Sequence, residues 1–338
     1  MRVLVMGGTG LLGAGIVRRL VAHGHEVTAT SRGRKPVREL PESVRVATVD
    51  RHDLAAMRAL IATVQPGAVV DGVAYAGQDG RDDLALFAGK VGHLVMISTD
   101  FAYKPSWQRL PIAEDAPLRA GTPYSEGKVD CEEVFRGQTD LPVTIFRPPH
   151  IMGPGGAFGT GSMQNRDRTL MSRLRQGVPV VLVDAGTYLI QPLHVDDGGD
   201  AIAAVLGREA CFGRAYNLTS ADAVTTREYY ELVAREAGVA LPMLSIPGDL
   251  WLRVRPDHVS YVRHRMYDLG ALARDAGWRP RIGIDEAIAR TARDIIRRGE
   301  DEPYVHAPAE AALVTALQKD GDNVVGALTA WEAARQAR

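Results

Sequence analysis

The sequence predicts an α/β protein built on a doubly wound parallel sheet, with a smaller mixed lobe toward the C-terminus. Two observations support this prediction. In the first 150 residues, short apolar runs alternate with stretches of helical periodicity. After residue 148 the alternation stops, and the Gly/Pro-rich stretch PPHIMGPGGAFGTG predicts a loop that leads into shorter elements of both types.

The elements of the first part follow one another in order. Short runs rich in Val, Ile and Leu predict buried strands at 2–6, 26–30, 44–49, 68–74, 93–98 and 143–147. Apolar residues spaced three and four apart predict helices between the strands, at 11–24, 53–64, 81–91 and 122–137. Because parallel strands need a crossover connection, this order predicts one parallel sheet with helices on both faces.

The predicted boundaries divide the chain into three parts. Residues 1–150 form the sheet domain, to which segments at about 180–220 return; residues 151–298 are mainly a second lobe, and residues 299–338 are a helical tail. The elements predicted after residue 150 are helices at 165–176, 226–237, 268–276, 285–298, 309–319 and 324–337, and short strands at 180–183 and 216–218.

Composition and charge exclude several classes of function. The formal net charge is −1, so the chain as a whole has no electrostatic attraction to nucleic acid or to anionic membranes. No apolar run approaches the roughly 20 residues of a membrane span, and a strand begins at once, which leaves no room for a signal peptide. The two cysteines, Cys131 and Cys211, cannot form a metal cluster by themselves. We therefore expect a cytoplasmic protein without a metal, a membrane contact or a nucleic-acid partner.

The first strand is followed by a glycine-rich turn, MGGTGLLG. Gly7, Gly10 and Gly13 lie between this strand and the first helix. Glycines at this spacing permit a tight turn, close approach of the backbone to a pyrophosphate and close packing of helix on sheet, while the helix N-terminus supplies free N–H groups. The context predicts a Rossmann-type dinucleotide site. The other predicted contacts in this turn are made by Thr9, Leu11 and Leu12.

The end of the second strand bears on the choice of cofactor. NAD-binding folds usually carry an acid there, but this chain has ATSRGRK, with Ser31, Arg32, Arg34 and Lys35. A hydroxyl and a guanidinium suit a 2′-phosphate, so NADP(H) is favoured and NAD(H) is the alternative.

The end of the third strand offers a contact for the adenine. Asp50 is placed to meet the adenine amino group, although an ordinary surface acid would look the same, and Arg51 follows it. After the fourth strand we expect Ala74 and Tyr75 to contact the cofactor as well.

The stretch TPYSEGKVDCEEVF predicts the chemistry. Tyr124 and Lys128 are four residues apart, so they share one face of the predicted helix. A phenol with a pKa near 10 is a poor base, but a nearby ammonium and a cationic nicotinamide ring lower that pKa. Tyr124 then exchanges a proton with a carbinol or ketone while hydride moves to or from the nicotinamide. Thr99, at the carboxyl end of the fifth strand, can hydrogen-bond the same substrate oxygen, or it can form a local strand-end turn.

These residues together resemble the extended short-chain dehydrogenase/reductase superfamily. The matching stretches are GGTGLLG, the hydroxyl of Thr99, YSEGK, RPPHIMGPG and LIQPLHVDD, and they cover roughly residues 1 to 298. The resemblance implies that Thr99, Tyr124 and Lys128 are the catalytic set and that Lys128 also holds the nicotinamide ribose. It implies that Pro148 and Pro149 lie on the nicotinamide side. It further implies a homodimer formed through the helix at 122–137 and its neighbour.

Departures from the family pattern concern the substrate. The run Thr99, Asp100, Phe101 lacks the second acid that sugar-nucleotide dehydratases use, so 4,6-dehydration is disfavoured. His150 stands where many members have a substrate-contacting asparagine. Ile190 and Gln191 stand where an arginine binds the substrate diphosphate. We expect Asp100, His150 and Gln191 to face a sugar or a sugar-like molecule that differs from the usual nucleotide sugars.

Two further arginines and a histidine need separate interpretation. Arg263 and Arg265 in YVRHRMYD either supply an anion site from the second lobe or belong to a solvated face. His194 is predicted to be packed or capping, not catalytic.

The predicted function is therefore an NAD(P)-dependent oxidoreductase that interconverts a carbinol and a ketone. The main alternative is a nucleotide-sugar epimerase with tightly bound NAD, because both reactions use the same residues. A third interpretation is an RNA-binding or scaffold protein on the same fold, since the stretch at 71–91 also resembles chloroplast stem-loop RNA-binding proteins. The intact Thr99, Tyr124 and Lys128 set and the charge near zero weigh against that interpretation.

Overall fold

The computed structural model describes residues 1–34, 39–106, 109–119, 121–137, 140–160, 166–305, 311–320 and 323. The strands are β1 (Arg2–Met6), β2 (Glu26–Ser31), β3 (Arg45–Thr48), β4 (Ala68–Asp71), β5 (His93–Ile97), β6 (Val143–Arg147), β7 (Ile151–Met152), β8 (Val180–Val183), β9 (Leu189–Ile190), β10 (Leu193–His194), β11 (Arg214–Asn217), β12 (Val224–Thr225) and β13 (Met243–Ile246). The helices are α1 (Leu11–Ala22), α2 (Leu54–Val64), α3 (Gly77–Phe87), α4 (Pro123–Phe135), α5 (Leu170–Arg175), α6 (Val195–Val205), α7 (Thr226–Glu236), α8 (Gly248–Val254), α9 (Gly270–Ala276) and α10 (Ile284–Arg297).

Seven of these strands form one parallel sheet in the order β11-β6-β5-β4-β1-β2-β3. This confirms the predicted doubly wound parallel sheet. The chain order reverses between β1 and β4, the point at which ligands bind outside the carboxyl ends of the strands in such sheets. The short strand predicted at 216–218 is β11, and it completes the sheet at one edge.

The sheet is covered by an apolar cluster on each face. One cluster contains Ile16, Leu20 and Ile202, and the other contains Met57, Phe87 and Phe135. Burying one such side chain contributes about 1.5–3 kcal/mol, so these two layers hold the strand ends in fixed positions.

The third helix differs from its prediction. We predicted 81–91, but α3 runs from Gly77 to Phe87. The Asp79 carboxylate accepts hydrogen bonds from the backbone amides of Tyr75 and Ala76, at 2.7 and 3.0 Å, and so starts the helix earlier. The helix stops before Gly89, whose φ is +68°.

The chain divides into two compact units. The first unit consists of Met1–Gly156, Leu189–Ala223 and Arg263–Asp294. The second unit consists of Ala157–Tyr188, Val224–Val262 and the residues from Ile295 onward. This division differs from the expected one, because 263–294 joins the sheet unit and 180–188 does not.

The second unit has its own small framework. Its β8 and β13 pair in parallel, and α7 supplies two buried tyrosines, Tyr229 and Tyr230, to its interior. In the tail, residues 311–320 are helical, in line with the helix predicted at 309–319, whereas the helix predicted at 324–337 lies outside the described residues. Within the described part of the chain, no helix has the length and apolar character of a membrane span.

Candidate active site

The glycine turn after β1 has the shape that a pyrophosphate requires. Gly7 has a φ of +76°, and its carbonyl oxygen accepts a hydrogen bond from the amide of Gly10 at 3.0 Å. A Cβ on Gly13 would lie 2.2 Å from that same oxygen, so only glycine permits this approach of helix to turn. Gly10 caps α1 without a side-chain hydrogen bond, and no acid lies in the first turn. The helix N-terminus is thus suited to a phosphate group.

The other predicted residues of the turn have accessible surface. Thr9, Leu11 and Leu12 are partly exposed, and Gly10 is exposed. Leu12 also packs against the apolar cluster under α1, so we expect its contact with a cofactor to be made by its backbone. The turn fits a dinucleotide in both its shape and its free surface.

The adenosine side of the site is exposed and basic. Ser31 ends β2, and its hydroxyl accepts a hydrogen bond from the Gly33 amide at 3.1 Å. Arg32 and Arg34 are exposed, and Lys35 lies outside the described residues. The pKa of the Asp50 carboxyl is lowered, chiefly by a hydrogen bond from the His52 amide, with smaller contributions from Arg32 and Arg34. These two guanidiniums therefore lie near the residue predicted to contact adenine.

The side chain of Arg51 takes a different part from the predicted one. It is buried and contacts three carboxylates, those of Asp71, Asp79 and Asp83, at 2.5, 3.5 and 3.0 Å. It also donates a hydrogen bond to the backbone oxygen of Asp79 at 2.8 Å. Because these contacts occupy the guanidinium, a cofactor contact at this position is left to the backbone of Arg51.

Helix α4 carries Tyr124 and Lys128, the predicted catalytic pair. The Thr122 hydroxyl caps it by accepting from the Ser125 amide at 3.2 Å, and Pro123 occupies the first turn. Tyr124 and Lys128 follow one turn apart on the same face, but in contrasting surroundings. The side chain of Tyr124 is 46% exposed, whereas that of Lys128 is 2% exposed. The helix therefore carries its phenol into accessible space and its ammonium into the protein.

Lys128 has defined partners. Its ammonium donates to the backbone oxygen of Ile97, at the end of β5, at 2.8 Å. It also lies 4.4 Å from the centre of the Tyr75 ring, which in turn lies 6.3 Å from the Tyr124 ring. Burial lowers the pKa of Lys128 to about 8, and the negative charge of Asp71 opposes that shift. Burial therefore makes this ammonium easier to deprotonate than that of an exposed lysine.

Thr99 follows β5 at the carboxyl edge of the sheet. Its hydroxyl accepts from the Phe101 amide at 3.2 Å and lies 3.4 Å from an oxygen of Asp100, to which it donates. The local strand-end turn is thus present. The Asp100 amide donates to the backbone oxygen of Pro148 at 3.0 Å, which joins the ends of β5 and β6. Pro148 is buried and Pro149 is partly exposed.

A buried ion pair that the sequence reasoning missed anchors α4. Glu132 accepts from the Ser98 hydroxyl at 2.5 Å and forms a two-pronged pair with Arg147, at 2.6 and 3.0 Å. Glu132 is four residues beyond Lys128, so the spacing that pairs Tyr124 with Lys128 also places Glu132 on the same face of the helix. This pair fixes the helix against β5 and β6.

The structure assigns structural contacts to two residues that we predicted to bind substrate. Gln191 is buried; its amide nitrogen donates to the Ser220 oxygen and its amide oxygen accepts from the Tyr267 amide, both at 2.8 Å. Asp100 is buried as well, and it accepts from the Tyr267 hydroxyl at 2.7 Å. Both side chains thus have hydrogen-bond partners inside the protein, and their predicted contact with substrate stays a prediction.

The remaining residues of this region fall into two groups. His150 is partly exposed and stays a candidate for substrate contact. Arg263 and Arg265 are each 3% exposed, which excludes the solvated face. Arg263 donates to the backbone oxygens of Lys104 and Tyr103, and Arg265 lies 3.6 Å from the Asp100 carboxylate. Both arginines belong to the sheet unit, not to the second lobe.

His194 has the predicted capping role. Its Nδ1 accepts from the Asp196 amide at 3.2 Å at the start of α6, and burial lowers its pKa to about 4. It is therefore neutral at physiological pH.

Comparison with known proteins agrees with this geometry. The model of the NAD dependent epimerase/dehydratase family matches residues 3–85 and 83–219. The chain belongs to this family. It is thus an NAD(P)-dependent enzyme of the extended short-chain dehydrogenase/reductase superfamily, as the sequence motifs indicated.

Individual members of the family resemble the chain over most of its length. It is 29% identical to the 2'-dehydrokanamycin reductase of Streptomyces kanamyceticus over 309 residues, which cover 88% of this chain and 86% of that protein. It is 25% identical to the UDP-glucose 4-epimerase of Mycolicibacterium smegmatis, with 86% of this chain and 97% of that protein covered. The UDP-glucose 4-epimerase of Thermus thermophilus, solved in complex with NAD, superposes with a TM-score of 0.68 at 25% identity, covering 88% of this chain and 99% of that one. The family thus holds both net reductases and epimerases.

Proposed function

We propose that this protein is a reductase that uses NADP(H) to interconvert a ketone and a carbinol on a sugar-like ring. The observation that carries the proposal is the shared face of α4, on which an accessible Tyr124 precedes a buried Lys128 beside the end of β5. When bound, the nicotinamide cofactor supplies the hydride. The protein's part is to hold the carbonyl oxygen between the Tyr124 hydroxyl and Thr99.

In this proposal Tyr124 gives a proton to the carbonyl oxygen as hydride arrives at the carbon. The Lys128 ammonium favours the phenolate that remains. Thr99 has to turn its hydroxyl from Asp100 toward the substrate oxygen, and the long 3.4 Å contact indicates that this costs little. Proton, hydride and ketone together give the alcohol, so the step is balanced.

The substrate is proposed to lack a nucleotide diphosphate. Ile190 and Gln191 occupy the place where related enzymes carry a phosphate-binding arginine, and the structure buries both. Arg263 and Arg265, the alternative anion ligands in this unit, are held by backbone oxygens and by Asp100. A neutral or amino-substituted sugar ring fits such a site better than a diphosphate does.

Preference for NADP(H) is part of the proposal. It is supported by Ser31, by the exposed Arg32 and Arg34 and by the absence of an acid at the end of β2. The charge-assisted contacts of a guanidinium with a 2′-phosphate would distinguish NADP(H) from NAD(H).

The test is turnover of a panel of cyclic ketones with NADPH by the wild-type protein and by Tyr124→Phe. We expect a loss of about 10²–10⁴-fold in kcat, because general acid catalysis is removed while the ring remains. Normal turnover by the variant would overturn the role of Tyr124. The matched control is Tyr188→Phe, which changes a tyrosine of the second unit and should leave turnover unchanged.

Epimerisation with retained NAD is the second candidate, and the similarity to UDP-glucose 4-epimerases favours it. Native mass spectrometry separates the two candidates. A protein purified with stoichiometric NAD would indicate an epimerase. An empty protein that binds NADPH much more tightly than NADH would indicate a reductase.

We also propose that the protein acts as a cytoplasmic homodimer through α4 and its neighbour α3. The exposed face of α4 carries Glu126, Asp130 and Glu133, which all pair with Arg119 at 2.7 to 3.1 Å. A dimer on such a charged face would depend on polar contacts and would dissociate at high salt. Light scattering at low and high salt tests this expectation.

A further inference from the structure

A cluster of buried charges lies beside the catalytic lysine and has no part in the reaction described so far. Its centre is Arg51, which contacts the carboxylates of Asp71, Asp79 and Asp83. One guanidinium therefore faces three acids in the interior of the protein. A buried charge left without a partner is costly, so the balance of this cluster requires either another cation or a bound proton.

The structure offers a cation at the neighbouring strand end. Asp71 is the last residue of β4 and pairs in register with Met96 of β5. Lys128 donates its hydrogen bond to the backbone oxygen of Ile97, the next residue of β5. Adjacent parallel strands lie about 4.8 Å apart, so the carboxylate and the ammonium are held at the same edge of the sheet.

We propose that Asp71, fixed by Arg51, is the counter-ion of Lys128 and acts as a positioning residue that keeps the ammonium charged. This inference rests on the proposed function in one respect: Lys128 assists proton transfer by Tyr124 and contacts the cofactor. Asp71 itself need not touch substrate or cofactor. Its other oxygen accepts from the Val73 amide at 2.6 Å, which fixes the carboxylate at the edge of the sheet.

The groups that face Lys128 determine whether its charged form is favoured or disfavoured. Asp71, Asp79 and Cys131 favour the charged form, and Arg51 disfavours it. Tyr75 contributes the face of its ring. Burial is the largest influence and lowers the pKa of Lys128, and Asp71 is the largest influence that raises it.

Asp83 is the acid of this cluster that accepts a proton most readily. Burial and the neighbouring Asp71 raise the pKa of Asp83 well above its usual range. A proton on Asp83 would leave the carboxylates of Asp71 and Asp79 to the cations Arg51 and Lys128, with the His52 ring, 3.0 Å from Asp79, as a further partner. Asp83 is therefore the matched control, since an asparagine there imitates the protonated acid.

The experiment measures two quantities between about pH 6 and about pH 10: the affinity for NADPH, from nicotinamide fluorescence, and kcat with a ketone substrate. For wild type we expect both to fall at alkaline pH as Lys128 loses its charge. In Asp71→Asn the fall should occur at least about 1 pH unit lower, because an opposite charge next to the ammonium has been removed. In Asp83→Asn it should stay where it is in wild type.

The outcomes separate this inference from the proposed function. A shifted affinity profile with no ketone reduced would support the role of Asp71 and refute the reductase. Turnover with an unshifted Asp71→Asn profile, in a variant with normal circular dichroism, would overturn the role of Asp71.

Two further measurements test the inference, and the second, made on wild type, needs no variant that folds. Arg51→Gln removes a cation, so the alkaline fall should move to higher pH; a fall that stays or moves lower would contradict the inference. In wild type the pH at which affinity and kcat fall should be the same at about 0.05 and about 0.5 M salt, because buried charges are screened little. A salt-dependent fall would assign the titration to exposed groups.

Discussion

Two of the buried arginine–carboxylate clusters in the described part of the chain are built differently. Arg147 meets a single acid, Glu132, through two short hydrogen bonds. Arg51 meets three acids in a less regular arrangement. A one-to-one pair has no charge left over and therefore serves as an anchor for α4. A cluster with excess negative charge has to take up a proton or a second cation, and this makes it sensitive to pH.

The largest effect on stability is expected from Arg51→Met. The substitution leaves three buried acids without their cation, and we expect a loss above the roughly 3–5 kcal/mol that breaking a buried pair usually costs. The loss should shrink as the pH falls from about 7 to about 5, because the folded variant then binds protons on acids whose pKa is raised. Urea unfolding at several pH values measures it. A loss that does not depend on pH would contradict the excess charge.

A smaller loss, about 3–5 kcal/mol, is expected from Arg147→Met, which leaves Glu132 alone in the interior. Here the double variant Arg147→Met with Glu132→Leu should recover most of the stability, because no charge remains unpaired. No such two-residue rescue is available to Arg51. Urea unfolding of the single and double variants measures both effects. If the double variant does not recover stability, the ion pair contributes packing that methionine and leucine do not replace.

The next effect concerns cofactor binding at the loop after β2. Its arginines, Arg32 and Arg34, are exposed, unlike those of the two buried clusters. Arg32→Ala should weaken NADPH by roughly 10–100-fold and NADH much less, since a charge-assisted hydrogen bond is worth about 1.5–3 kcal/mol. Increasing salt should reduce the difference between wild type and variant. Fluorescence titration with each cofactor measures the affinities. Equal losses for the two cofactors would refute the assignment of Arg32 to the 2′-phosphate.

The mildest substitution is Asp83→Asn, which should leave the protein at least as stable as wild type at about pH 7, because a buried asparagine needs no proton on folding. The raised pKa of Asp83 means that its stabilising contribution is present below its unfolded pKa and is lost as the pH rises through the folded value. The free energy of unfolding of the variant, relative to that of wild type, should therefore increase with pH. The opposite trend in urea unfolding would show that Asp83 is ionised in the folded protein.

Much of the fold could be predicted because its signals are local. Apolar runs of four to six residues indicated the strands, and helical spacing indicated α1, α2 and α4. The α3 helix was displaced because its start depends on Asp79, a cap that lies inside the predicted loop. The glycine turn could be predicted for the same reason as the strands, since its strand, turn and helix are consecutive.

The candidate site, like the fold, has features that local sequence patterns predict and features that they do not. Tyr124 and Lys128 belong together by helix geometry alone, so the sequence by itself determined the pair and the reaction class that it suits. The sequence could not show that Lys128 is buried against Ile97 and Tyr75 while Tyr124 remains accessible. That contrast depends on how α4 packs on the sheet.

Only the tertiary structure decided the roles of Arg51, Gln191, Arg263 and Arg265. Their side-chain partners lie 20 or more residues away along the chain, as Asp71 does from Arg51 and Tyr103 does from Arg263. The identity of a charged or amide residue does not show whether its side chain meets solvent, a ligand or a buried partner. Local spacing therefore determined the glycine turn, the shared helix face of Tyr124 and Lys128 and the order of the elements. Burial and long-range pairing decided which polar side chains already have partners inside the protein.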